Sequence, residues 1–283
     1  MGADLPLDPE YVAARGVLLD ALEALGEHSG AVVVAGAQAI YMRAGASVLP
    51  IADLTTDADL ALDPTLLSPT PDLEAMLEAG GFEHVEHGGG PEPGSWQIDA
   101  VLRGVEVKIP LDLIVPAGAS AGGRRGARLG THGNRAARRS AGLEAALVEN
   151  KPMRITALNP EDGRSAEARV AGLPALLIAK SHKIHDRIEA GIEDRTYDKD
   201  ASDIVRIMQS QTAGQMAAAL DALRADRSAA DSTELGLTYF EELFGRRNGE
   251  GIAMAIRALR VALPEDRVRA ICLAYSEQLR AAT

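Results

Sequence analysis

Residues 32–40 read VVVAGAQAI, and residues 55–60 read TTDADL. The β-branched run predicts a buried strand, Gly36 predicts a turn after it, and the pattern then favours a short helix. Side chains alternate along a strand, so Asp57 and Asp59 are expected to point to the same face of a second strand. Two such carboxylates can hold a divalent cation, because Mg²⁺ combines a few carboxylates with substrate phosphates.

The surroundings of this acid pair distinguish it from an ordinary loop. An Asp-x-Asp pair is also common in solvated turns. Here Leu60 and Leu62 follow it, so the strand should be partly buried, and carboxylates there are costly unless a cation or hydrogen bonds compensate them. A further acid, Asp112, lies inside the apolar stretch 109–115, IPLDLIV. If that strand pairs beside the first, three acids meet, as two-metal nucleotidyl transfer requires.

These motifs resemble, in order and spacing, those of the AbiEii-type nucleotidyltransferase toxin family, with its MenA-like mycobacterial members. That family has a strand, a Gly-Gly or Gly-Ser turn, a helix, Ser/Thr-x-Asp-x-Asp, a later strand Asp, a helix Lys and a basic-Asp-x-x-Asp segment. The resemblance covers about residues 30–210, and the turn departs from the pattern because Ala37 stands where the family has Gly or Ser. The matching residues here are Gly36, Thr55, Asp57, Asp59, Asp112, Lys180 with Arg187 seven residues later, and Lys199-Asp200-Ala201-Ser202-Asp203-Ile204.

The resemblance implies a Mg²⁺-dependent nucleotidyltransferase that uses an NTP. It implies a toxin of a toxin–antitoxin pair, which transfers NMP to RNA at the 3′ end of tRNA and has a cognate antitoxin protein as partner. Asp57, Asp59 and Asp112 would bind the metal, and Asp112 could also act as base toward the acceptor hydroxyl. The implied catalytic set is Asp57, Asp59, Asp112, Lys180 and Asp200 (with Asp203 as an alternative to Asp200), and the implied nucleotide-binding set is Gly36, Ala37, Thr55 and Lys180.

Composition narrows the class of protein. The chain has 283 residues and a net charge of −12, which does not suit a general nucleic-acid binder. A single cysteine, Cys272, excludes an intramolecular disulfide and a cysteine-rich zinc site. The first residues lack a basic start followed by an apolar core, and no stretch approaches the length of a membrane span. We therefore expect a cytoplasmic protein with no membrane partner.

One segment has the opposite charge. Residues 113–143 contain no acid and six arginines, so this segment carries +6 and the remainder −12 − 6 = −18. Residues 117–140 are predicted to be a Gly- and Arg-rich loop, either a solvated insertion or a contact for RNA or nucleotide phosphates. The arginines that could contact tRNA are Arg124, Arg125, Arg128, Arg135, Arg138 and Arg139.

The predicted fold class is α/β plus α. Residues 1–172 should form a nucleotidyltransferase-like domain with a mixed sheet and flanking helices, and residues 173–283 a helical domain that closes the nucleotide cleft with Lys180 and Asp200. The predicted strands are 31–35, 57–62, 95–102, 104–109, 111–115, 152–157 and 166–171. The predicted helices are 9–27, 37–44, 73–79, 173–190, 200–210, 213–225, 232–246, 249–261 and 265–281.

Several alternatives stay open from the sequence. The acceptor could instead be a small molecule such as an aminoglycoside, or a protein hydroxyl, and a non-catalytic binding protein could keep the same fold. Gln38 could reach a ligand or cap the turn, and Trp96 could stack a base, although a core position is favoured. His182 and His185 have the i, i+3 spacing of a metal pair, but a solvated helix face is favoured.

Overall fold

The structure is a computed structural model that describes residues 7–45, 55–120, 125–191 and 198–282. Within these residues, eight strands form a mixed sheet and ten α-helices accompany it. The strands are β1 (Val32–Val34), β2 (Ala58–Leu62), β3 (Glu83–His87), β4 (Gly90–Leu102), β5 (Val105–Pro116), β6 (Arg138–Ser140), β7 (Asn150–Thr156) and β8 (Ser165–Ala171). The helices are α1 (Pro9–Ala24), α2 (Gly36–Ala44), α3 (Leu73–Ala79), α4 (Glu144–Val148), α5 (Leu173–Glu189), α6 (Asp198–Ser210), α7 (Ala213–Ala225), α8 (Ala230–Phe244), α9 (Glu250–Leu259) and α10 (Glu265–Ala282).

The sheet has the order β3-β4-β5-β2-β1-β8-β7, and β6 pairs with β5 outside this path. β2 runs parallel to β5, and β1 runs parallel to β8. The β1–β2, β3–β4 and β4–β5 pairs are antiparallel. The coarse prediction of a mixed α/β fold with a helical C-terminal region is therefore confirmed.

The strand prediction was wrong around residues 83–116. β3 was not among the predicted strands, and β4 begins at Gly90, five residues before the predicted strand 95–102. The two predicted strands 104–109 and 111–115 form one strand, β5, which continues through Pro110. Local Gly and Pro preferences indicate a loop here, but the hydrogen bonds of a long hairpin outweigh them.

The two faces of the central strands differ in polarity. On one face, leucines such as Leu60, Leu62, Leu111 and Leu113 are completely buried. Each such side chain contributes roughly 1.5–3 kcal/mol through the hydrophobic effect. This alternation fixes the register, since a slip of one residue would exchange apolar and polar side chains between the faces. The opposite face carries the acids and is called the acid-bearing face below.

The chain divides into two compact units. The first comprises Met1–Gln38, Ala52–Ser140 and Asn150–Val170, and it contains the sheet with α1 and α3. In it, Asp72 caps the N-terminus of α3, because its Oδ1 accepts a hydrogen bond from the backbone N–H of Ala75 at 3.0 Å.

The second unit comprises Ala39–Ile51, Ala141–Glu149 and Ala171–Thr283. Helices α5–α10 pack on one another around buried apolar side chains, including Phe240, Phe244 and Cys272. Burial raises the pKa of the Cys272 thiol to about 12, so it is a core residue and not a reactive thiol. Among the described helices, none combines the length and the apolar character needed to cross a membrane.

Candidate functional site

The predicted strand acids meet in the sheet. β2 and β5 are neighbours, and Asp59 lies opposite Asp112 in their parallel register. Asp57 directly precedes β2, two residues before Asp59, so strand alternation directs it to the same side. Asp59 is buried, with 8% of its surface exposed, and Asp57 is partly buried. The prediction that Asp112 joins the other two acids depended on pairing of the two strands, and the structure shows that pairing.

Gly36 is fixed by its contact with one of these acids. Its φ is +65°, and a Cβ on it would lie 1.8 Å from Oδ2 of Asp59. The backbone N–H of Ala35 also donates to the backbone carbonyl of Asp59 at 2.9 Å. Only glycine therefore fits this turn, for its backbone conformation and for the space that the carboxylate occupies. α2 begins here, so Gly36 and Ala37 place the start of a helix beside Asp59.

Two buried side chains hold Asp57. The hydroxyl of Thr55 donates to Oδ1 of Asp57 at 2.5 Å. Nε2 of Gln38 donates to the backbone carbonyls of Asp57 at 3.0 Å and Ala14 at 2.9 Å, while its Oε1 accepts from Nε of Arg15 at 2.9 Å. Gln38 is thus neither of the two things expected from the sequence. It ties the loop before β2 to α1 and thereby positions Asp57.

Asp112 has its own partners. Nη2 of Arg138 donates to Oδ2 of Asp112 at 2.7 Å, and the hydroxyl of Ser95 donates to Oδ1 at 3.2 Å. Burial alone would lower the pKa of Arg138, but the charge and hydrogen bond of Asp112 and the charges of Asp59 and Glu92 outweigh it, so the pKa lies above its usual value. The guanidinium is therefore a permanent positive charge among the acids.

The acid-bearing face suits a cation only in part. Among the described residues, no group of three or more His, Cys, Asp or Glu side chains is arranged to hold a metal ion. Asp112 stands in register but is bound by Arg138 and Ser95. Asp57 and Asp59 fit Mg²⁺ better, because this ion needs one or two carboxylates when phosphates supply further oxygens.

Lys180 lies in the second unit at the centre of a buried ion cluster. Its Nζ donates to Oδ1 of Asp200 and, at 2.7 Å, to Oδ2 of Asp203. Only 4% of Lys180 is exposed, so it does not lie on the surface. Burial would lower its pKa, but the charges and hydrogen bonds of the two aspartates prevail and raise the pKa well above its ordinary value.

Spacing along two helices builds this cluster. Lys180, Lys183 and Arg187 share one face of α5 at i, i+3 and i+7, and Asp200 and Asp203 are i, i+3 on α6. Arg187 also donates to Oδ2 of Asp200, and Nζ of Lys183 lies 3.7 Å from its Oδ1. Burial would raise the pKa of Asp200, but the charges of Lys180, Lys183 and Arg187 outweigh it and hold the pKa far below its usual range.

The second aspartate has a different environment. The hydroxyl of Tyr41 donates to Oδ1 of Asp203 at 3.3 Å, and the guanidinium of Arg206 lies 4.7 Å from the centre of the Tyr41 ring. The family resemblance implies Asp200 as a site residue, with Asp203 as the alternative. In the structure both aspartates bind Lys180.

No protein-family model, curated protein or solved structure matches the chain. The assignment to the AbiEii-type family therefore stays a prediction. It depends on the order and spacing of the motifs.

Most of the described arginines of segment 113–143 have protein partners. Arg125 pairs with Glu92 at 3.6 Å, Arg135 with Glu74 at 2.9 Å, and Arg138 with Asp112, while Arg139 donates to the backbone carbonyl of Ala117 at 2.6 Å. Arg128 is exposed, and Arg124 lies outside the described residues. Residues 125–140 are not a purely solvated insertion, since Ala127, Ala136 and Ala137 are fully buried.

The remaining alternatives from the sequence are decided by packing. Trp96 is fully buried, stacks on His84 and donates to the carbonyl of Ala136 at 2.9 Å, so the favoured core position is confirmed. The favoured solvated position was wrong for His182, which is buried and hydrogen-bonds the carbonyl of Ser232 at 2.8 Å. Its helix face is covered by α8, which the i, i+3 spacing could not reveal.

One further arginine was missed. Arg169 pairs with Val33, which places it on the acid-bearing face, two strands from β2. Its Nε and Nη2 are buried, and neither has an acceptor among the described residues. Its place in β8 depends on strand register, so no local sequence signal could have identified it.

Proposed function

We propose that the protein is a Mg²⁺-dependent nucleotidyltransferase with a nucleotidyltransferase-like fold. It would transfer NMP from an NTP to the 3′ end of tRNA, with release of pyrophosphate, and act as the toxin of a toxin–antitoxin pair. The reaction class is supported by the site. The tRNA acceptor, the toxin role and the antitoxin partner are supported by the family resemblance alone.

The single observation that carries the proposal is the meeting of Gly36 with the strand acids. A glycine at φ +65° touches the carboxylate of Asp59, and Asp59 is in register with Asp112 on the next strand. A helix start beside paired carboxylates provides backbone N–H groups for phosphate oxygens and carboxylates for the accompanying cation. A purely structural role explains this arrangement less well, because the buried carboxylate of Asp59 lies beside the partly exposed carboxylate of Asp112, and the ion pair with Arg138 compensates Asp112 directly.

Each residue of the candidate site would have a distinct role in the reaction. Asp57 and Asp59 would hold Mg²⁺, which neutralises triphosphate charge and activates the acceptor hydroxyl when it is bound. Thr55 and Gln38 keep Asp57 in place. Asp112 would be a third ligand or the base only if it exchanged its bonds to Arg138 and Ser95. The resemblance assigns phosphate-charge neutralisation to Lys180, which Asp200 and Asp203 orient.

A transfer assay tests this proposal. The protein is incubated with each radiolabelled NTP, Mg²⁺ and total tRNA, and label is followed on RNA, on protein and on small molecules. Asp57→Ala should abolish transfer and remain folded by circular dichroism. Asp99→Ala is the matched control, because this aspartate is exposed on β4 and pairs only at the surface with Lys108.

The outcomes separate the alternatives. Label on tRNA from the wild type and from Asp99→Ala, but not from Asp57→Ala, supports the proposal and identifies the preferred base. Label on a small molecule or on protein would support nucleotidyl transfer but identify an acceptor other than tRNA. Equal transfer by Asp57→Ala, or no metal-dependent nucleotide binding by the wild type, would overturn the proposal.

A further inference from the structure

Along the strand order, Arg138 and Gly36 lie on opposite flanks of the strand acids. β6 pairs with the end of β5, and Arg138 lies opposite Ile114, two residues beyond Asp112 on the same face. β1 and the start of α2 lie on the other side of β2. The sheet order therefore places the strand acids between a helix start and a guanidinium group.

The bonds of Asp112 indicate what this acid does. Its Oδ2 accepts from Arg138 and its Oδ1 from Ser95, so both of its oxygens are engaged by protein donors. The guanidinium has five N–H groups. Among the described residues, its hydrogen bond is the one from Nη2 to Asp112, and 29% of the Arg138 side chain stays exposed. One edge of the guanidinium is thus fixed, while other donors remain available.

We propose that Arg138 is a phosphate-binding residue, which donates hydrogen bonds to a phosphate oxygen of the nucleotide, and that Asp112 positions it. This inference rests on the proposed function, because it places the nucleotide at Asp57 and Asp59. Asp112 is accordingly a positioning residue that acts through Arg138 and not an independent metal ligand.

Charge and geometry favour this role. A triphosphate brings several negative charges to a face that already carries three carboxylates, so a cation fixed in advance lowers the repulsion. Arginine suits the task because its planar fork matches phosphate oxygens and stays charged at every accessible pH. An arginine held by a carboxylate also loses little side-chain entropy when the phosphate arrives, which is the benefit of preorganisation.

The test measures binding of Mg²⁺ with inorganic triphosphate by calorimetry, so that base preference plays no part. Arg138→Gln should weaken binding by about tenfold or more, and Arg138→Lys should recover part of the loss. Asp112→Asn should weaken binding severalfold. The double variant should bind no more weakly than Arg138→Gln alone, because both changes remove one shared contact. Arg128→Gln, at an exposed arginine of the same segment, is the matched control.

The controls separate this inference from the proposed function. Thermal melts identify variants that fail to fold. If Arg138→Gln fails to fold, Arg138→Lys can be tested in its place, because it keeps a positive charge beside Asp112. Asp57→Ala reports on the metal site. If Asp57→Ala loses binding while Arg138→Gln binds like the wild type, the inference about Arg138 is overturned and the proposed function stands. If the affinity losses of Arg138→Gln and Asp112→Asn multiply in the double variant, Asp112 is an independent ligand, and the inference is also overturned.

Two further outcomes bear on both the Arg138 inference and the proposed metal site. If Asp57→Ala binds normally and Arg138→Gln does not, the phosphate contact of Arg138 stands and the metal assignment fails. If the wild type shows no metal-dependent binding of triphosphate, both proposals fail.

Discussion

Lys180→Met is expected to destabilise the protein strongly. Methionine keeps the unbranched apolar stem of the side chain but removes the ammonium group between Asp200 and Asp203. Both carboxylates are buried, with side-chain exposures of 1% and 3%. Removing one partner of a buried ion pair leaves an uncompensated charge and costs about 3–5 kcal/mol of unfolding free energy. We expect a loss in this range at neutral pH.

The remaining contacts show where the cost arises. Asp200 keeps Arg187 and Lys183 as partners, so its charge stays compensated. Asp203 keeps the hydroxyl of Tyr41 at 3.3 Å, which is a weaker partner than an ammonium group. In the variant, the unpaired charge of the buried Asp203 carboxylate should therefore account for most of the lost unfolding free energy.

The pKa shifts of Lys180 and Asp200 determine how this cluster contributes to wild-type stability as the pH changes. Because the folded pKa of Lys180 is raised, its contribution is complete below the ordinary value of 10.5 and is lost only as the pH rises through the folded pKa. Because the folded pKa of Asp200 is lowered, its contribution is present above the ordinary value of 3.8 and is lost as the pH falls below it. Between about pH 5 and 8, neither group changes wild-type stability.

Urea unfolding followed by circular dichroism at about pH 5 and about pH 8 measures the loss in Lys180→Met and the pH dependence of the wild type. Lys180→Met combined with Asp203→Asn is the informative second variant, because a neutral amide removes the uncompensated charge and should recover at least half of the loss. A Lys180→Met protein within about 1 kcal/mol of the wild type, or a loss that Asp203→Asn does not reduce, would refute the reasoning. Transfer activity of the folded double variant then tests whether Lys180 does more than join α5 to α6.

Three further changes test the first unit. Gly36→Ala should cost about 2–4 kcal/mol in a thermal melt, because φ +65° disfavours alanine and its Cβ would collide with Asp59, whereas an unchanged melting temperature would contradict this contact. Gln38→Leu should cost about 2–3 kcal/mol and weaken Mn²⁺ binding through Asp57, and loss of stability with unchanged Mn²⁺ affinity would limit Gln38 to packing. Arg169→Met should raise the unfolding free energy by about 1 kcal/mol, because it removes buried donors that have no acceptor, and a lower melting temperature would reveal a partner for them.

The sequence predicted secondary-structure elements well where the spacing of apolar residues agrees with the positions of turn and capping residues. The VVV run, the glycine turn and the Asp-x-Asp strand lie where expected, α3 covers the predicted residues 73–79, and α5 begins at the predicted residue 173. These features depend on alternation, caps and turn residues, which act over a few positions. The prediction missed β3 at residues 83–87 and the first residues of β4, because Gly and Pro in residues 88–94 favour a loop and the pairing of a long hairpin formed strands instead.

By itself, the sequence predicted the residue types of the candidate site and most of the elements that carry them. Only the tertiary structure decided their partners. Pairing of β2 with β5 brings Asp59 beside Asp112, and the short β6 then gives Asp112 an arginine that the sequence had placed in a loop, either solvated or in contact with phosphates. Likewise, packing of α5 against α6 turns Lys180 from a single cation into the centre of a buried cluster. The physical reason is that strand register and helix packing join residues such as Lys180 and Asp200, 20 positions apart, or Asp59 and Asp112, 53 positions apart, and no local preference encodes such distances.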